Sequence, residues 1–556
     1  MLIGLDVGGT HTDAVLIENG CVIASHKTST DHDNLLASIN QALQEVTKNI
    51  DKTAIQGINL STTLSTNAIV ENKTENVAMI YSAGPGIVPE NFEIGKYCYR
   101  IKGAIDHRGT VIKNVDEYEI KSLWDEVQYS GISVFSVVSK FSTRNPLHEN
   151  IIGNFFKGIA DFITHGHHLS GQLNFPRRMA TAYYNSAVWR IYNDFTDAIK
   201  KSIAELGIHC RINILKADGG TIPLELSKKI PVESILSGPA ASVMGIVALC
   251  DISEDSILLD IGGTTTDIAV FSDGSPLIER EGISIGGHPT LVRSLETRSI
   301  GIGGDSLITV EKGIISVGPE RKGPCMAEGG LEATLVDALN YKGLSHFGKK
   351  EQSVRGIEEL AKKSGVKVKK LIDDAVDYAV KKIAAEVKAM IYDLNNKPVY
   401  TIHEMIDGKI ISPEVMYIMG GPAQGLKDIL NEEIAMKAIV PANYEVANAI
   451  GAACAKTTFD IELFADTGKG VLLVPNLNVT EQVDSSYTLD EAENDAKKYL
   501  AQYLNDNGVS VSEDDAEIVE SSAFKMVSGF MGSGKDIRVK CQIKPGVKMS
   551  IKGGSQ

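Results

Sequence analysis

The stretch Asp6-Val-Gly-Gly-Thr-His-Thr-Asp13 returns 254 residues later as Asp260-Ile-Gly-Gly-Thr-Thr-Thr-Asp267. Six of the eight positions are identical and a seventh exchanges Val for Ile. A short apolar run precedes each copy (Leu2, Ile3, Leu5; Ile257, Leu258, Leu259) and another follows it (Ala14–Ile17; Ile268–Phe271). This pattern predicts strand, tight Gly-Gly turn, strand. Glycines let a backbone adopt positive φ and approach a ligand closely, and successive turn N–H groups make a nest for anionic oxygens. Aspartates flanking such a nest cannot face phosphate bare, so a divalent cation is expected between them. One Gly-Gly-Thr hairpin is most often a plain turn. Its duplication with matched acidic flanks predicts two half-folds holding one polyphosphate from both sides.

The rest of the chain bounds this reading. Its 556 residues suffice for about three domains, and 43% hydrophobic content with no low-complexity tract is that of a globular protein. A formal net charge of −16 argues against a nucleic-acid surface. The opening MLIGLDVGG has no basic region and enters a strand at once, so no secretory signal is expected. No run of about 18 apolar residues could span a bilayer. Seven scattered cysteines without a CxxC pair suggest free thiols in a reducing cytosol.

Periodicity predicts an amphipathic helix over Asn34–Lys48, buried strands at Val77–Tyr81 and Ile132–Val138, and a helix entered from Asn174 through Arg177-Arg178 towards Asn193. A small-residue helix follows Ser237-Gly238-Pro239-Ala240-Ala241. Val366–Leu394, with Ile372, Val376, Val380, Ile383, Val387 and Ile391 on one face, reads as the longest helix and as core scaffold. Val415–Met419 is a buried strand ending in Gly420-Gly421-Pro422-Ala423 and a helix. Ala449, Gly451, Ala452 and Ala453 make the segment Tyr444–Lys456 suited to close helix or ligand approach. Beyond about residue 460 a strand, an acidic helix (Leu489–Leu504) and further strand-like stretches suggest a small α+β module.

Two phosphate hairpins followed by a glycine-rich turn after a strand is the layout of the actin/Hsp70/sugar-kinase ATPase superfamily. More specifically, the chain resembles the hydantoinase A/5-oxoprolinase family, which includes ATP-using subunits of acetone-type carboxylases. Six places carry the similarity: Asp6–Asp13, Thr62–Ala68, Asn145-Pro146 with His148-Glu149, Ser237–Ala240, Asp260–Asp267 and Gly420–Ala423. The string from Val317 to Ala338 also looks like the family's GP-rich segment. Three features depart from the family pattern: Leu60-Ser61 stands where His-Gly is usual, Asp305 stands where a third glycine is expected, and the C-terminus is shorter.

The resemblance implies an α/β fold of two actin-like (ribonuclease H-like) domains around a nucleotide cleft, 1–180 and 181–458, followed by the α+β module at 459–556. It implies ATP with Mg²⁺. Gly8, Gly9, Thr10, Thr12, Gly262, Gly263, Thr264, Thr265, Thr266, Gly303 and Gly304 would cradle the nucleotide phosphates, with Gly420, Gly421 and Pro422 against the adenosine. Asp6, Asp13, Asp260 and Asp267 would hold the cation through water and serve catalysis. Thr62, Thr63, Thr66 and Asn67 are the candidates for substrate contact, against the simpler reading of a hydroxyl-rich helix cap. His148 and Glu149 are the acid–base candidates, against a helix start capped by Asn145 and Pro146. The reaction implied is ATP-dependent hydrolysis of a cyclic amide; ketone carboxylation, a sugar-type kinase and a reactivating ATPase are the alternatives. A hydantoinase B-type subunit and a homo-oligomer are the partners it leaves room for, without nucleic acid or membrane. Two other features are read as structural. Gly529–Lys535 matches GxxxxGK, but Asp536 replaces the Ser/Thr of a P-loop. His165-Gly-His167-His168 has no Cys or carboxylate at ligand spacing nearby and reads as a surface loop.

Overall fold

The computed structural model describes residues 1–31, 34–279, 281–396, 410–527 and 533–552. Two mixed sheets share one local plan. In the first, Leu2–Val7 runs antiparallel to His11–Glu18 and parallel to Gly57–Thr62, with Cys21–Ser29, Arg211–Leu215 and Thr221–Pro223 completing six strands. In the second, Ser256–Ile261 runs antiparallel to Thr266–Ser272 and parallel to Val415–Met419. The central strands are buried along nearly their whole length: all of Leu2–Val7 after its first residue, and the whole of Ser256–Ile261. Their near-continuous apolar sequences fit strands covered on both faces.

Two short helices lie between the sheets, Ser237–Leu249 and Ala447–Cys454. They meet backbone to backbone. A Cβ on Gly451 would stand 2.0 Å from the Ala241 carbonyl oxygen, one on Gly245 2.3 Å from that of Ala447, and one on Gly4 1.9 Å from that of Ala449. No side chain larger than hydrogen fits at those three places, which bears out close approach along the Ala449–Ala453 stretch.

The second half is filled by Val368–Asn395, whose Ile372, Val376, Val380, Ile383 and Val387 are all buried in one core. It is not the longest helix. That is Phe175–Glu205, 31 residues against 28. Its buried face carries Thr181, Asn185, Ser186, Thr196 and Ser202 as well as apolar residues, which blurs the hydrophobic period. The expected boundary at residue 180 falls inside this helix, and the first sheet draws on strands as far as Pro223.

A separate four-stranded parallel sheet, Phe162–His165, Val134–Ser139, Val77–Ser82 and Tyr97–Arg100, is inserted in the first half. The C-terminal module is an antiparallel five-stranded sheet (Val479–Gln482, Val471–Val474, Asp460–Asp466, Ser533–Ile543, Ala516–Val527). The helix Leu489–Asp506 packs on it through Ala492, Ala496, Leu500 and Leu504. The module docks on the inserted sheet's loops: the Arg144 guanidinium lies 3.4 Å from the Phe464 ring centre and Arg108 faces the buried Asp466 at 3.6 Å. Of the GxxxxGK stretch, 529–532 lies outside the described residues. Lys535 and Asp536 belong to the strand Ser533–Ile543, where a P-loop needs a helix.

Candidate nucleotide site

The two hairpins close with the same bond, Gly8 N–H to the His11 carbonyl (3.0 Å) and Gly262 N–H to that of Thr265 (2.9 Å). Their tips face each other. The Thr10 and Thr264 hydroxyl oxygens stand 3.4 Å apart, and a Cβ on Gly263 would lie 3.0 Å from the Thr10 hydroxyl. Gly9 and Gly421 have no atom within 4 Å of where a Cβ would stand, so both present bare backbone to open space. Gly420 adopts φ +88° and presses on the Ile261 carbonyl and Asp260, which brings the Gly420-Gly421-Pro422 turn against the second hairpin.

Some expected phosphate contacts are taken up internally. Thr12 and its counterpart Thr266 are fully buried. Thr12 bonds Thr30, whose hydroxyl in turn donates to the Gly8 carbonyl, and Thr266 donates to the Ile302 carbonyl. Both threonines therefore clamp their loops from beneath. Gly303 and Gly304 likewise donate their N–H groups to Ser306 and to the Gly262 carbonyl, so they brace the second hairpin rather than offering free donors. That leaves Gly8, Gly9, Thr10, Gly262, Gly263, Thr264 and Thr265 at the facing tips.

The four aspartates pair in register, Asp6 with Asp13 and Asp260 with Asp267, which places each pair on one face. Burial, and then the Asp13 charge, raises the Asp6 carboxyl to about 7; burial, and then Asp260, does the same for Asp267. Burial also raises Asp13 and Asp260, opposed by Lys27 and by Ser242 respectively. Asp13 accepts from Lys27 at 2.7 Å; Asp260 accepts from Ser242 at 2.6 Å and Asn448 at 3.1 Å. Among the described residues no three His, Cys, Asp or Glu side chains converge as a metal cage, so the four do not form a ligand set by themselves. Asp6 Oδ1 and Asp13 Oδ1 nevertheless remain buried without a partner. Two orphaned carboxylate oxygens beneath the facing hairpin tips fit the chemistry of a hydrated cation.

The structure adds residues that sequence reasoning passed over. Lys27 lies in register with Asp13. On the other side, Arg321 donates to Asp305 Oδ2 at 3.1 and 3.3 Å, and Asp305 stands 3.0 Å from where a Gly263 Cβ would be. The departure from the family pattern at 305 thus supplies an acid that holds an arginine beside the second hairpin. Burial, then Lys27 and Arg321, holds the His11 imidazole down at about 4, so it is neutral at pH 7 where it meets Glu328 at 4.0 Å. The other departure, Ser61, is fully buried and in register with Asp6. Ser242 and Asn448, polar residues inside the two small-residue helices, carry no sequence signal of their own.

The neighbouring turn is held by the Thr62 backbone, whose N–H donates to the Ser237 hydroxyl and whose carbonyl accepts from it, and by the Thr66 hydroxyl, which accepts from Leu236 N–H. Leu236 sits in the left-handed region at φ +62°, a strained conformation that its surroundings over-determine. Thr63 and Asn67 are bonded to each other at 3.3 Å beside Val7; they are half-buried, as is Thr66, whereas Thr62 is buried.

His148 and Glu149 lie elsewhere, sealed in the inserted domain. Glu149 is fully buried and accepts from Ser139 N–H (2.7 Å), His167 N–H (3.0 Å) and the His167 ring (2.5 Å). Although burial opposes ionisation, His167 and Arg178 hold its carboxyl down at about 2. His148 is fully buried with both ring nitrogens unpartnered, and burial lowers its pKa. An acid–base pair open to substrate is not what these two form; Glu149 ties its helix to the end of the Val134–Ser139 strand and to the His167 turn. The histidine run is correspondingly no surface loop. Gly166–Leu169 is a helical turn with His167 at zero exposure, because its ring is needed against Glu149.

The hydantoinase/oxoprolinase family model matches residues 178–461, and the model of that family's N-terminal region matches residues 2–159. The chain belongs to the hydantoinase/oxoprolinase family. It is 24% identical to a 5-oxoprolinase of Saccharomyces cerevisiae over 61% of this chain and 31% of the yeast protein. It is 26% identical to 5-oxoprolinase 1 of Arabidopsis thaliana over 72% and 37%. The acetophenone carboxylase gamma subunit of Aromatoleum aromaticum matches at 22% over 60% of this chain and 52% of the subunit. The chain thus spans about a third of the length of the 5-oxoprolinases it matches. In fold it is similar to an ATP-dependent caprolactamase from Pseudomonas jessenii (TM-score 0.69, 18% identity, 97% of this chain and 87% of that one). It is similarly close to a nucleotide-free acetone carboxylase (TM-score 0.68, 17% identity, 99% and 88%). These likenesses establish the α/β actin-like architecture. No helix among the described residues is long and apolar enough to cross a membrane.

Proposed function

We propose that this chain is the ATP-using part of an enzyme that opens a cyclic amide. The observation that carries the reading is the pair of facing hairpins, with Thr10 and Thr264 3.4 Å apart, in a chain of this family. An amide carbonyl is a poor electrophile. Transfer of the γ-phosphoryl group to its oxygen turns that oxygen into a leaving group. Water then adds to the carbon, the ring C–N bond breaks with a proton going to nitrogen, and an acyl phosphate remains. A second water replaces the phosphate, which departs with the former carbonyl oxygen. Such transfer depends on positioning and charge stabilisation. Backbone N–H groups of Gly9 and Gly263, at tips that Gly8 and Gly262 close, and the hydroxyls of Thr10 and Thr264 would hold the phosphates. Lys27 and Arg321, each held by an acid, would face developing negative charge from the two sides. Gly420, Gly421 and Pro422 would back the adenosine, and Thr63 with Asn67 would meet the substrate. Asp6 and Asp13 would hold Mg²⁺, which when bound neutralises phosphate charge.

The test is a stoichiometry. A competent cyclic amide should yield ADP, phosphate and ring-opened acid in equal amounts, with the carbonyl oxygen recovered in phosphate and solvent oxygen in the acid. ADP without free phosphate would make the chain a kinase; phosphate without a small-molecule product would make it a reactivating ATPase. The gamma-subunit relative supports a second reading, ATP-driven ketone carboxylation, in which bicarbonate is consumed and a carboxylated ketone accumulates. The similarity to the gamma subunit of a multi-subunit carboxylase supports a B-type partner subunit, so the assay is run with and without one.

A further inference from the structure

A cavity of about 720 Å³ opens on the far side of the first sheet from the hairpins. Leu2 and Gly57, which line it, begin strands whose other ends, Val7 and Thr62, meet the phosphate loops. Five rises of about 3.3 Å put the two sites roughly 17 Å apart. Its other wall comes from the C-terminal module, through the loop after Leu489–Asp506 and the end of the last strand, and Lys456-Thr457 at the joint between the two.

The charge of this wall is opposite to that of the chain. Lys200, Arg211, Lys456, Lys544 and Lys548 line the cavity against only Glu225 and Asp515, in a protein of net charge −16. Lys200 is paired with Glu225, and Lys456 faces Asp515. Among the described residues Arg211, Lys544 and Lys548 have no carboxylate partner. Desolvation lowers the Lys548 ammonium, and the nearby Arg211 adds to this. Like charges gathered in a concavity with low-dielectric walls focus a field on it. Leu2, Ile212, Leu224 and Ile543 supply an apolar flank, and the buried Asn59, bonded to Asn213, lies on the wall between. The volume is that of a small-molecule pocket and far exceeds one inorganic anion.

We propose that this pocket binds an organic anion carrying two or three negative charges, held by Arg211, Lys544 and Lys548 at the joint of the C-terminal module. The site is separate from the nucleotide cleft, and its ligand bridges the first sheet and the module.

Calorimetric titration of the full chain in magnesium-free buffer tests this, with citrate as the polycarboxylate probe and fructose 1,6-bisphosphate as the phosphorylated one. At least one probe should saturate a single site per chain and weaken as salt rises. Its dissociation constant should rise tenfold or more in Arg211→Ala/Lys548→Ala, while ATP binds that variant as it binds the parent chain. Lys544→Ala, on an exposed residue that folding does not need, should weaken the probe at least threefold. Which probe binds tells carboxylate from phosphate. The proposal is overturned if neither probe saturates, if both variants bind as tightly as the parent, or if ATP displaces the probe competitively.

Discussion

Replacing Asp6 with Asn should make the ligand-free protein more stable while crippling its use of nucleotide. Asp6 is 6% exposed, and its carboxyl is raised from 3.8 to about 7 by burial and then by Asp13. The folded chain therefore binds this proton more tightly than the unfolded chain does. Stability is highest below about pH 4, falls as pH rises towards 7, and levels off above. At 1.36 kcal/mol per pH unit, the gap from 3.8 to about 7 amounts to about 4 kcal/mol above pH 7. Asn carries no charge at any of these values. Asp6→Asn should thus exceed the parent by up to about 4 kcal/mol at pH 8 without nucleotide, and the difference should shrink towards nothing by pH 4. Both tryptophans, Trp124 and Trp189, lie in the same half of the chain as Asp6, so urea unfolding followed by their fluorescence reports the relevant transition. With Mg-ATP added the order should reverse, because only the parent presents the carboxylate a cation needs. A difference that is the same at pH 4 and pH 8, or a variant less stable at pH 8, would refute the electrostatic argument. Wild-type-like Mg-ATP turnover in the variant would refute the placement of the cation.

Three further changes separate the site from its surroundings. Gly263→Ala puts a Cβ 3.0 Å from both the Thr10 hydroxyl and Asp305; it should weaken nucleotide binding at least threefold with the melting temperature moved by no more than about 2 °C, read by titration and calorimetry. Arg321→Ala should lower turnover at least tenfold, with Arg321→Lys restoring part of it, whereas Lys535→Ala should leave nucleotide affinity unchanged; a tenfold loss there, about 1.4 kcal/mol, would mean that the GxxxxGK stretch is a phosphate loop after all. Glu149→Gln should cost about 3–5 kcal/mol at pH 7 by leaving the buried Arg178 guanidinium uncompensated. Since the folded carboxyl lies near 2 against 4.5, the parent's advantage should be full above pH 4.5 and fade as pH falls through 2, which urea midpoints across that range will show.

The hairpins, the buried strands and the long amphipathic helix were legible because each rests on local pattern: a repeated octapeptide, continuous apolar runs, a clean 3.6-residue period. Of the candidate site, the sequence pattern carried only the backbone geometry: two Gly-Gly turns that face each other, and the bare backbone at Gly9 and Gly421. Side-chain roles were not legible, because they depend on what lies opposite. Nothing in the sequence says that Thr12 and Thr266 turn inward to Thr30 and Ile302, or that Glu149 closes on His167 eighteen residues away. Asp305 shows the same thing from the other side. It reads as a lost glycine until Arg321, sixteen residues on, is seen bonded to it. The helices Glu117–Val127 and Lys350–Ser364 escaped notice because charged residues dominate both and only a narrow apolar stripe is buried.

The glycine seam between Ser237–Leu249 and Ala447–Cys454 limits how the nucleotide halves can move. Where carbonyl oxygens sit directly over glycines, no pliable side chains absorb a change of distance. Prising the halves apart would break the contact all at once and admit water to a dry joint, whereas sliding one helix along the other keeps it closed. Under the proposed function, closure on ATP would then be a shear of short reach rather than the swing of a jaw. Asn448, between the seam residues Ala447 and Ala449 and bonded to Asp260, ties that sliding surface to the second hairpin.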